Sequence, residues 1–424
     1  MPTLLALREN PPAEGDKITE RSLAVLWQRA HTLTSGLVTE NGRRLRVLYP
    51  GRPNAGAGPD FHDAAIADEN GDIVTGDVEL HLKAPDWYGH KHHTDPNYNG
   101  VILHVVLRPG KEAGSRQRSG IFVPIVALNQ DRRTLTGPGT PATATGLAPL
   151  IQMDEEKLGE FLDRAGDERF FARSRGFSLE LKATEPDQVL YGALMEALGY
   201  ASNRRPFREL ARRVPVASLT RLRREPAGTR LLPLKAALIG GGGLLPYVKH
   251  PQEALELNRL FARLGVSGAM PADRWRLFRV RPSNHPLRRL KGAAELLDRY
   301  LDSGLVRGLE DETQNGDVRS LVGQLSAPPF IGGGRASDMA VNVVLPFLHA
   351  CAGVQKAPDL DASCVGLYRS FPRLQDNEIT REMARLLDQG HSRKTVTGAR
   401  RQQGLIHFYK RFVRGGDGPS LAEN

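Results

Sequence analysis

The chain has 424 residues, of which 40% are hydrophobic and 25% charged, the composition of an ordinary soluble globular protein with room for two or three domains. Its two cysteines are too few for a disulfide framework. No stretch approaches the ~20 continuous apolar residues of a transmembrane helix, and the N-terminus lacks the pattern of a secretion signal. We therefore expect a cytoplasmic protein without a membrane partner.

The net charge is unevenly distributed along the chain. Residues 1–150 contain 16 Lys and Arg against 16 Asp and Glu, so the whole excess of +10 lies in residues 151–424. Basic side chains neutralise phosphates and release counterions, which favours DNA or RNA as a partner of this basic part. An arginine-rich composition alone could produce the same balance.

The first predicted element is a helix at residues 18–31, where apolar residues recur at helical spacing. Asp16 or Thr19 could cap it, and Glu20 lies in its first turn. An acid is favoured there by the helix dipole, so Glu20 is equally well explained as a structural residue and as a candidate site residue.

A strand at residues 43–49 leads into a glycine-rich loop, residues 52–58, which carries Asn54 and is followed by Pro59-Asp60. Residues 64–67 and 73–82 then predict a hairpin around the turn at residues 68–71. Side chains alternate across a strand, so Asp77, Glu79 and His81 share one face. Pairing the two strands could bring Asp60 close to Glu79. Two carboxylates, backed by a carbonyl such as that of Leu80, form a hard oxygen site for Mg²⁺ or Mn²⁺.

Five of the 12 histidines fall between His81 and His104. His90, His92 and Asp95 lie in the loop at residues 85–100 and could ligate zinc, with His81 or His104 contributing. We rank pocket shaping and substrate contact above a zinc site for this loop, which also carries Trp87 and Tyr98. Trp87 could stack on a base, although packing beneath the loop is its more ordinary use.

A strand at residues 101–107 is apolar on both faces except at His104, which is typical of a central strand. His104 is either part of the site or a satisfied buried histidine. Residues 121–128 predict a further strand, with an edge or bulge at Pro124. Residues 131–150 are rich in Thr, Gly, Pro and Ala and predict a linker.

Helices dominate after residue 154. Six segments carry apolar residues at i, i+3, i+4 spacing, namely 155–165, 187–198, 206–214, 253–264, 291–301 and 378–389. Residues 240–243 are four consecutive glycines, predicted to be a hinge or a packing site. Basic clusters at residues 200–207, 279–289 and 393–401 could line a substrate groove.

Two resemblances follow from these motifs. Pro59-Asp60 and Glu79-Leu80-His81 resemble the motif of the PD-(D/E)XK nuclease superfamily, with His81 in place of the usual lysine. The motifs at residues 58–61, 76–81 and 281–286 also resemble those of an uncharacterised bacterial family of unknown function. The nuclease resemblance implies a metal site at Asp60 and Glu79, completed by Glu20, with His81 positioning or deprotonating water.

We therefore expect an α/β domain at residues 1–130 with a restriction-endonuclease-like mixed sheet, and a basic α-helical domain at residues 151–424. The favoured function is Mg²⁺- or Mn²⁺-dependent hydrolysis of phosphodiester bonds in DNA or RNA. Two alternatives stay open. One is a nucleic-acid-binding or assembly protein without turnover, and the other is a zinc hydrolase that uses His90, His92 and Asp95.

Overall fold

The computed structural model describes residues 19–30, 36–54, 56–70, 72–108, 110, 114–128, 150, 153–266, 268–278, 280–387 and 395–413. The chain divides into two compact units, one of residues 1–161, 376–396 and 405–424, and one of residues 162–375 and 397–404. Apart from Leu150, the predicted linker lies outside the described residues. So do Asp16, Arg279 and residues 393–394.

The first unit is built on a mixed sheet of eight strands. In chain order these are β1 Leu37–Val38, β2 Arg44–Tyr49, β3 Arg52–Pro53, β4 Phe61–Asp68, β5 Ile73–Lys83, β6 Val101–Arg108, β7 Gly114–Arg116 and β8 Phe122–Ala127. Their order across the sheet is β1-β2-β4-β5-β6-β8-β7, and β3 pairs with β4. The pairs β5–β6 and β6–β8 are parallel and the others are antiparallel. The N-terminal part is therefore a mixed α/β sheet domain, as predicted.

Local sequence accounts for the strand positions. β6 lies between β5 and β8. Leu103 and Val105 belong to one apolar core and Val106 to another, which explains why its side chains are apolar on both faces. Pro124 of β8 pairs with Gly114 of the short β7, whereas the pairing of β8 with β6 involves Ile125 to Ala127. A residue without an amide proton is tolerated there because it lies beyond the pairing with the central strand.

The helices follow in chain order: α1 Glu20–Gln28, α2 Asp86–Gly89, α3 Glu155–Glu180, α4 Pro186–Leu198, α5 Tyr200–Arg213, α6 Val216–Leu219, α7 Leu231–Gly241, α8 Pro251–Arg263, α9 Pro286–Arg299, α10 Leu305–Asn315, α11 Val318–Leu325, α12 Gly333–Met339, α13 Leu345–Gln355, α14 Pro358–Ser370, α15 Glu378–Leu387 and α16 Ala399–Val413. Each of the six helical segments that the spacing predicts overlaps one of them. The predicted helical region after the sheet is confirmed.

Helix α1 packs on the sheet through its apolar stripe. Leu23, Leu26 and Trp27 share one buried core with Val78 and Leu80 of β5. The indole Nε1 of Trp27 also donates to the carbonyl oxygen of Pro50 at 2.8 Å. This packing places the first turn of α1 near the carboxyl-terminal half of β5.

A single apolar core fills the second unit. Residues Gly333–Gln355 form one continuous helical run that is long and apolar enough to cross a membrane by length and composition alone. However, 67% of its most apolar window is buried inside the chain, and Ala340, Val344 and Phe347 belong to the core of this unit. That is the packing of a core helix. The run includes a π-helical segment, Ala340–Val344, that ends two residues before Pro346, where a wider turn accommodates a residue without an amide proton.

The four glycines at residues 240–243 form a packing site. A Cβ atom on Gly240 would collide with the ring of Phe261, and one on Gly243 would collide with the backbone oxygen of Met270. Gly243 also has φ +67°, a conformation that favours glycine. Of the two predicted roles for this run, close packing is the one that the structure supports.

Candidate active site

The two acids of the predicted metal site lie together at the point where β4 begins. Asp60 directly precedes β4, and Phe61 pairs with Val78 of β5. The backbone amide of Asp60 donates to Glu79 Oε2 at 3.1 Å, and the backbone amide of Leu80 donates to Asp60 Oδ2 at 2.9 Å. Each carboxylate is therefore fixed by the backbone of the opposite strand.

Burial and mutual repulsion act on this acid pair. Burial, followed by the charge of Glu79, raises the pKa of Asp60 to about 7, although the amide of Leu80 opposes the shift. Burial also raises the pKa of Glu79 to about 8, with a smaller contribution from Glu20 and an opposing one from the amide of Asp60. Among the described residues, no Lys or Arg pairs with either carboxylate. A bound cation would favour the ionised form of both acids.

Glu20 is exposed in the first turn of α1. Thr19 caps that helix, and its hydroxyl oxygen accepts from the amide of Ser22 at 3.2 Å. The charge of Glu20 raises the pKa of both Asp60 and Glu79. Glu20 thus lies within electrostatic reach of the acid pair, in addition to being an acid at a helix N-terminus.

Asn54 shapes the loop that delivers Asp60. Its side-chain amide donates to the carbonyl oxygen of Pro59 at 2.9 Å, and its Oδ1 accepts from the amide of Gly56 at 2.8 Å. The backbone amide of Asn54 donates to the carbonyl oxygen of Asp60 at 2.7 Å. The side chain is therefore committed to the loop, and its contribution to a pocket is to hold Asp60 in place.

Behind the acids, buried imidazoles form a hydrogen-bonded chain. His81 Nδ1 lies 2.9 Å from His104 Nε2, and His104 Nδ1 lies 2.7 Å from Ser115 Oγ. On its other side, His81 Nε2 lies 3.0 Å from His90 Nδ1 and 3.7 Å from Glu79 Oε1. His81 is thus on the same side of the sheet as Glu79, with both ring nitrogens engaged.

The buried imidazoles are neutral at physiological pH. Burial, reinforced by the neighbouring imidazoles, lowers the pKa of His81 to about 2. Burial likewise lowers the pKa of His104 to about 3. His104 is fully buried and hydrogen-bonded, so it is a satisfied core histidine and a member of the chain that reaches His81.

The loop histidine His92 is held by aromatic side chains. Its ring stacks on Tyr98 with centroids 3.9 Å apart and lies edge-on to Trp87 at 5.4 Å. Trp87 is fully buried, and its Nε1 donates to the carbonyl oxygen of Arg116 at 2.9 Å. Trp87 therefore packs beneath the loop, which is the more ordinary of the two uses expected for it.

Asp95 has a local structural role. Its Oδ1 accepts from the amide of Asn97 at 2.9 Å and so caps the following 3₁₀ turn, Pro96–Tyr98. The group of possible metal-ligand atoms in this region consists instead of His81, His90 and His92, whose nitrogens lie within 4.8 Å of one another. His81 lies on β5, and its position on that strand brings its imidazole close to those of the two loop histidines.

Two features of the site carry no local sequence signal. Ser115 lies on the short strand β7 and contacts His104 only because β7 and β8 pair. Arg52, on β3, reaches Asp63 Oδ2 at 2.8 Å, and the hydroxyl of Tyr409 donates to the same oxygen at 2.8 Å. Asp63 has φ +59° and lies in the irregular stretch between Phe61 and Ala64, next to Asp60. These partners could be found only from the folded chain.

Comparison with known proteins gives a family match over most of the chain. Residues 20–321 match the model of a family described as "Protein of unknown function (DUF2851)". The matched range includes every candidate site residue and all three motifs at residues 58–61, 76–81 and 281–286. No curated protein and no solved structure matches.

Proposed function

The chain belongs to the DUF2851 family, whose description names no activity. From the geometry of its candidate site, we propose that the protein is a metal-dependent nuclease. The observation that carries the proposal is the acid pair. The carboxylates of Asp60 and Glu79 each accept from the backbone amide of the facing segment, and Glu79 is buried while Asp60 is half-buried. Such an arrangement fixes oxygen atoms in space before any ligand binds.

The donor set fits a hard divalent cation. Asp60 Oδ1 accepts no hydrogen bond from any described residue, and Glu79 Oε1 faces His92 without forming one. Carboxylate oxygens are the ligands that Mg²⁺ and Mn²⁺ prefer. Glu20 offers a third carboxylate from α1. A bound Mg²⁺ or Mn²⁺ would lower the pKa of a water molecule and stabilise the charge that develops on a phosphate.

The other residues have supporting roles in this proposal. His81 occupies the position of the superfamily's lysine, but it is neutral and both its ring nitrogens are engaged. We therefore assign it to positioning Glu79 and the attacking water, not to removing a proton. His90 is exposed and borders the acids through His81, so it is available to contact the substrate. The mixed sheet, with the acids on neighbouring antiparallel strands, is consistent with a restriction-endonuclease-like fold.

Nucleic acid is the substrate class that the charge distribution supports. The excess of +10 lies after residue 150, where it can neutralise phosphates. The first unit also contains a cavity of about 690 Å³ lined by Arg43, Arg116, Tyr88 and Phe122 among others. Phe122 is 63% exposed, and the guanidinium of Arg116 lies 5.2 Å from its ring centroid. A basic and aromatic cavity suits a single-stranded nucleic acid.

A cleavage assay tests the proposal. Labelled single- and double-stranded DNA and RNA are incubated with the full chain in Mg²⁺ or Mn²⁺. We expect cleavage by wild type, loss of cleavage in Asp60→Ala and Glu79→Ala, and wild-type rates in Glu69→Ala, an exposed acid in the same hairpin. Nucleic-acid binding without cleavage of any substrate would leave the alternative of a binding or assembly protein.

A further inference from the structure

Three imidazoles and one carboxylate oxygen converge beside the acid pair. We define the histidine triad as His81, His90 and His92, whose candidate ligand nitrogens lie within 4.8 Å of one another. His81 Nε2 and His90 Nδ1 are 3.0 Å apart, and Glu79 Oε1 lies 3.7 Å from His81 Nε2. Ligand atoms of a tetrahedral zinc site, at ~2.0–2.1 Å from the metal, are roughly 3.3 Å from each other. The distances from His81 Nε2 to His90 Nδ1 and to Glu79 Oε1 are near this spacing.

One ring nitrogen of the histidine triad is buried, has no hydrogen-bond partner among the described residues and lies close to Glu79. His92 Nε2 is buried and makes no hydrogen bond within the described part of the chain, and the side chain is only 9% exposed. It lies 3.1 Å from Glu79 Oε1, yet the two atoms are not aligned for a hydrogen bond. A buried polar atom without a partner is costly. A cation between the two atoms would bind both.

The residues behind the triad provide the support that metal-binding histidines usually have. With Nε2 of His81 directed at the triad, its Nδ1–H can donate to His104 Nε2, and His104 Nδ1–H can donate to Ser115 Oγ. Such outer partners fix the tautomer and orientation of a ligand histidine. His92 is similarly held between Tyr98 and Trp87. The exposed His90 leaves one side open to solvent, which gives an ion a path into the site.

We propose that the histidine triad, together with Glu79 Oε1, binds one transition-metal ion of the zinc class. Imidazole nitrogens suit Zn²⁺ better than Mg²⁺, which prefers oxygen. The proposed ligand set keeps His90, His92 and His81 from the zinc site expected from the sequence, and it replaces Asp95, which caps a turn, with Glu79. His104 is an outer partner. Glu79 would use Oε1 here and keep Oε2 on the amide of Asp60. The site shares Glu79 Oε1 with the proposed Mg²⁺ site but needs no contribution from Asp60, so replacing Asp60 separates the two sites experimentally.

Metal titration of the full chain tests this site. Metal-free protein is titrated with Zn²⁺ in competition with a chromophoric chelator, and with Co²⁺, whose absorption in the visible range reports tetrahedral coordination. We expect one Zn²⁺ per chain and an intense tetrahedral Co²⁺ spectrum. His90→Ala and His92→Gln should weaken Zn²⁺ binding by at least the ~10–100-fold that loss of an outer partner costs. His90 is exposed, so its replacement should leave the fold intact, which circular dichroism checks.

Two controls separate the outcomes. His93→Ala removes the neighbouring histidine, which is outside the triad, and should leave Zn²⁺ affinity unchanged. Asp60→Asn should change Zn²⁺ affinity by no more than a few-fold. The same variant should abolish any Mg²⁺-dependent cleavage. Absence of stoichiometric Zn²⁺ binding by wild type, or equal affinity in wild type and a folded double variant His90→Ala/His92→Gln, would overturn the site. Zinc binding without cleavage would leave the site standing and count against the nuclease.

Discussion

At the scale of single residues, the site is determined by buried groups whose charge is uncompensated. Asp60 and Glu79 are close enough to raise the pKa of Asp60, and no described Lys or Arg relieves them. The types of these residues and their alternation along β5 could be read from the sequence. Their burial, and the hydrogen bonds of each to the opposite strand, could not, because they depend on the register of β4 and β5.

We predict that Asp60→Asn stabilises the metal-free protein at pH 8. The pKa of Asp60 is raised to about 7 from its ordinary value of 3.8, so ionisation disfavours the folded state, and wild type becomes less stable as the pH rises from about 4 to 7. The variant lacks this contribution of Asp60 and keeps that of Glu79, whose pKa burial also raises. In EDTA, urea unfolding should show the variant more stable at pH 8, by up to about 4 kcal/mol, and little difference at pH 4. Saturating Mg²⁺ should make wild type the more stable of the two, since it binds the wild-type carboxylate.

A variant that is less stable than wild type at pH 8 in EDTA would contradict this electrostatic explanation.

We predict that His81→Lys retains Mg²⁺-dependent cleavage within about tenfold of wild type and loses the zinc site. A lysine ammonium could approach Glu79 Oε1, which is 3.7 Å from His81 Nε2, and would take the place that the superfamily's lysine has. Removal of a residue that acts as a general base typically lowers the reaction rate by ~10²–10⁴-fold. Initial rates and Zn²⁺ titration of the same preparation measure both effects. A folded variant with a reduction in that larger range would show that the imidazole itself is required.

At the scale of secondary-structure elements, the strands and helices follow from local patterns. The alternation of apolar and polar residue types along β5 and the apolar run of β6 are visible in the sequence because they repeat over neighbouring residues. Burial along β5 does not alternate, since Val78 to His81 are all buried. Contacts between distant segments have no such signal. Arg52 and Tyr409 are 357 positions apart, yet Arg52 Nε donates to the hydroxyl oxygen of Tyr409 at 2.8 Å. The predicted domain boundary at residue 130 therefore left out the C-terminal residues that complete the first unit.

We predict that Tyr409→Phe destabilises the protein by about 1–3 kcal/mol. The change removes the donor to Asp63 Oδ2 and leaves a partly buried carboxylate with one hydrogen bond fewer. Tyr49→Phe is the matched control, because the buried hydroxyl of Tyr49 has no hydrogen-bond partner among the described residues and its ring packs edge-on against Tyr409. That variant should be neutral or slightly more stable. Denaturant unfolding compares the two, and equal destabilisation would contradict a specific contribution of the hydrogen bond from the Tyr409 hydroxyl to Asp63.

At the scale of the whole molecule, the net charge and its distribution along the chain can be counted directly from the sequence. The excess of +10 after residue 150 needs no structure to be seen. The structure adds which of these side chains are accessible. Arg205 and Arg212 of α5 are exposed, whereas Arg204 and Arg208 pair with Glu196. Cations that already pair with a carboxylate are less available for phosphate than exposed ones.

We predict that nucleic-acid affinity falls steeply with added salt and that Arg205→Gln/Arg212→Gln makes this dependence shallower. Removing one cation that neutralises a phosphate should reduce the slope of log K against log salt by about 1. Arg44→Gln/Arg46→Gln, two exposed arginines on β2, is the control with the same change in charge. Fluorescence anisotropy at several salt concentrations gives the slopes. Identical slopes for the two double variants would contradict a principal role of the basic helical region.

A crystal structure of the full chain soaked with Mn²⁺, with anomalous diffraction to locate the ion, tests most sharply whether the acid pair is a metal site. We predict an anomalous peak at the acid pair, at the ~2.0–2.2 Å separation from carboxylate oxygens of Asp60 and Glu79 that small divalent cations require, and its disappearance in Asp60→Asn. Saturating Mn²⁺ that gives no peak at the acid pair, or a peak that persists in the variant, would contradict the proposed metal site and the nuclease activity that depends on it.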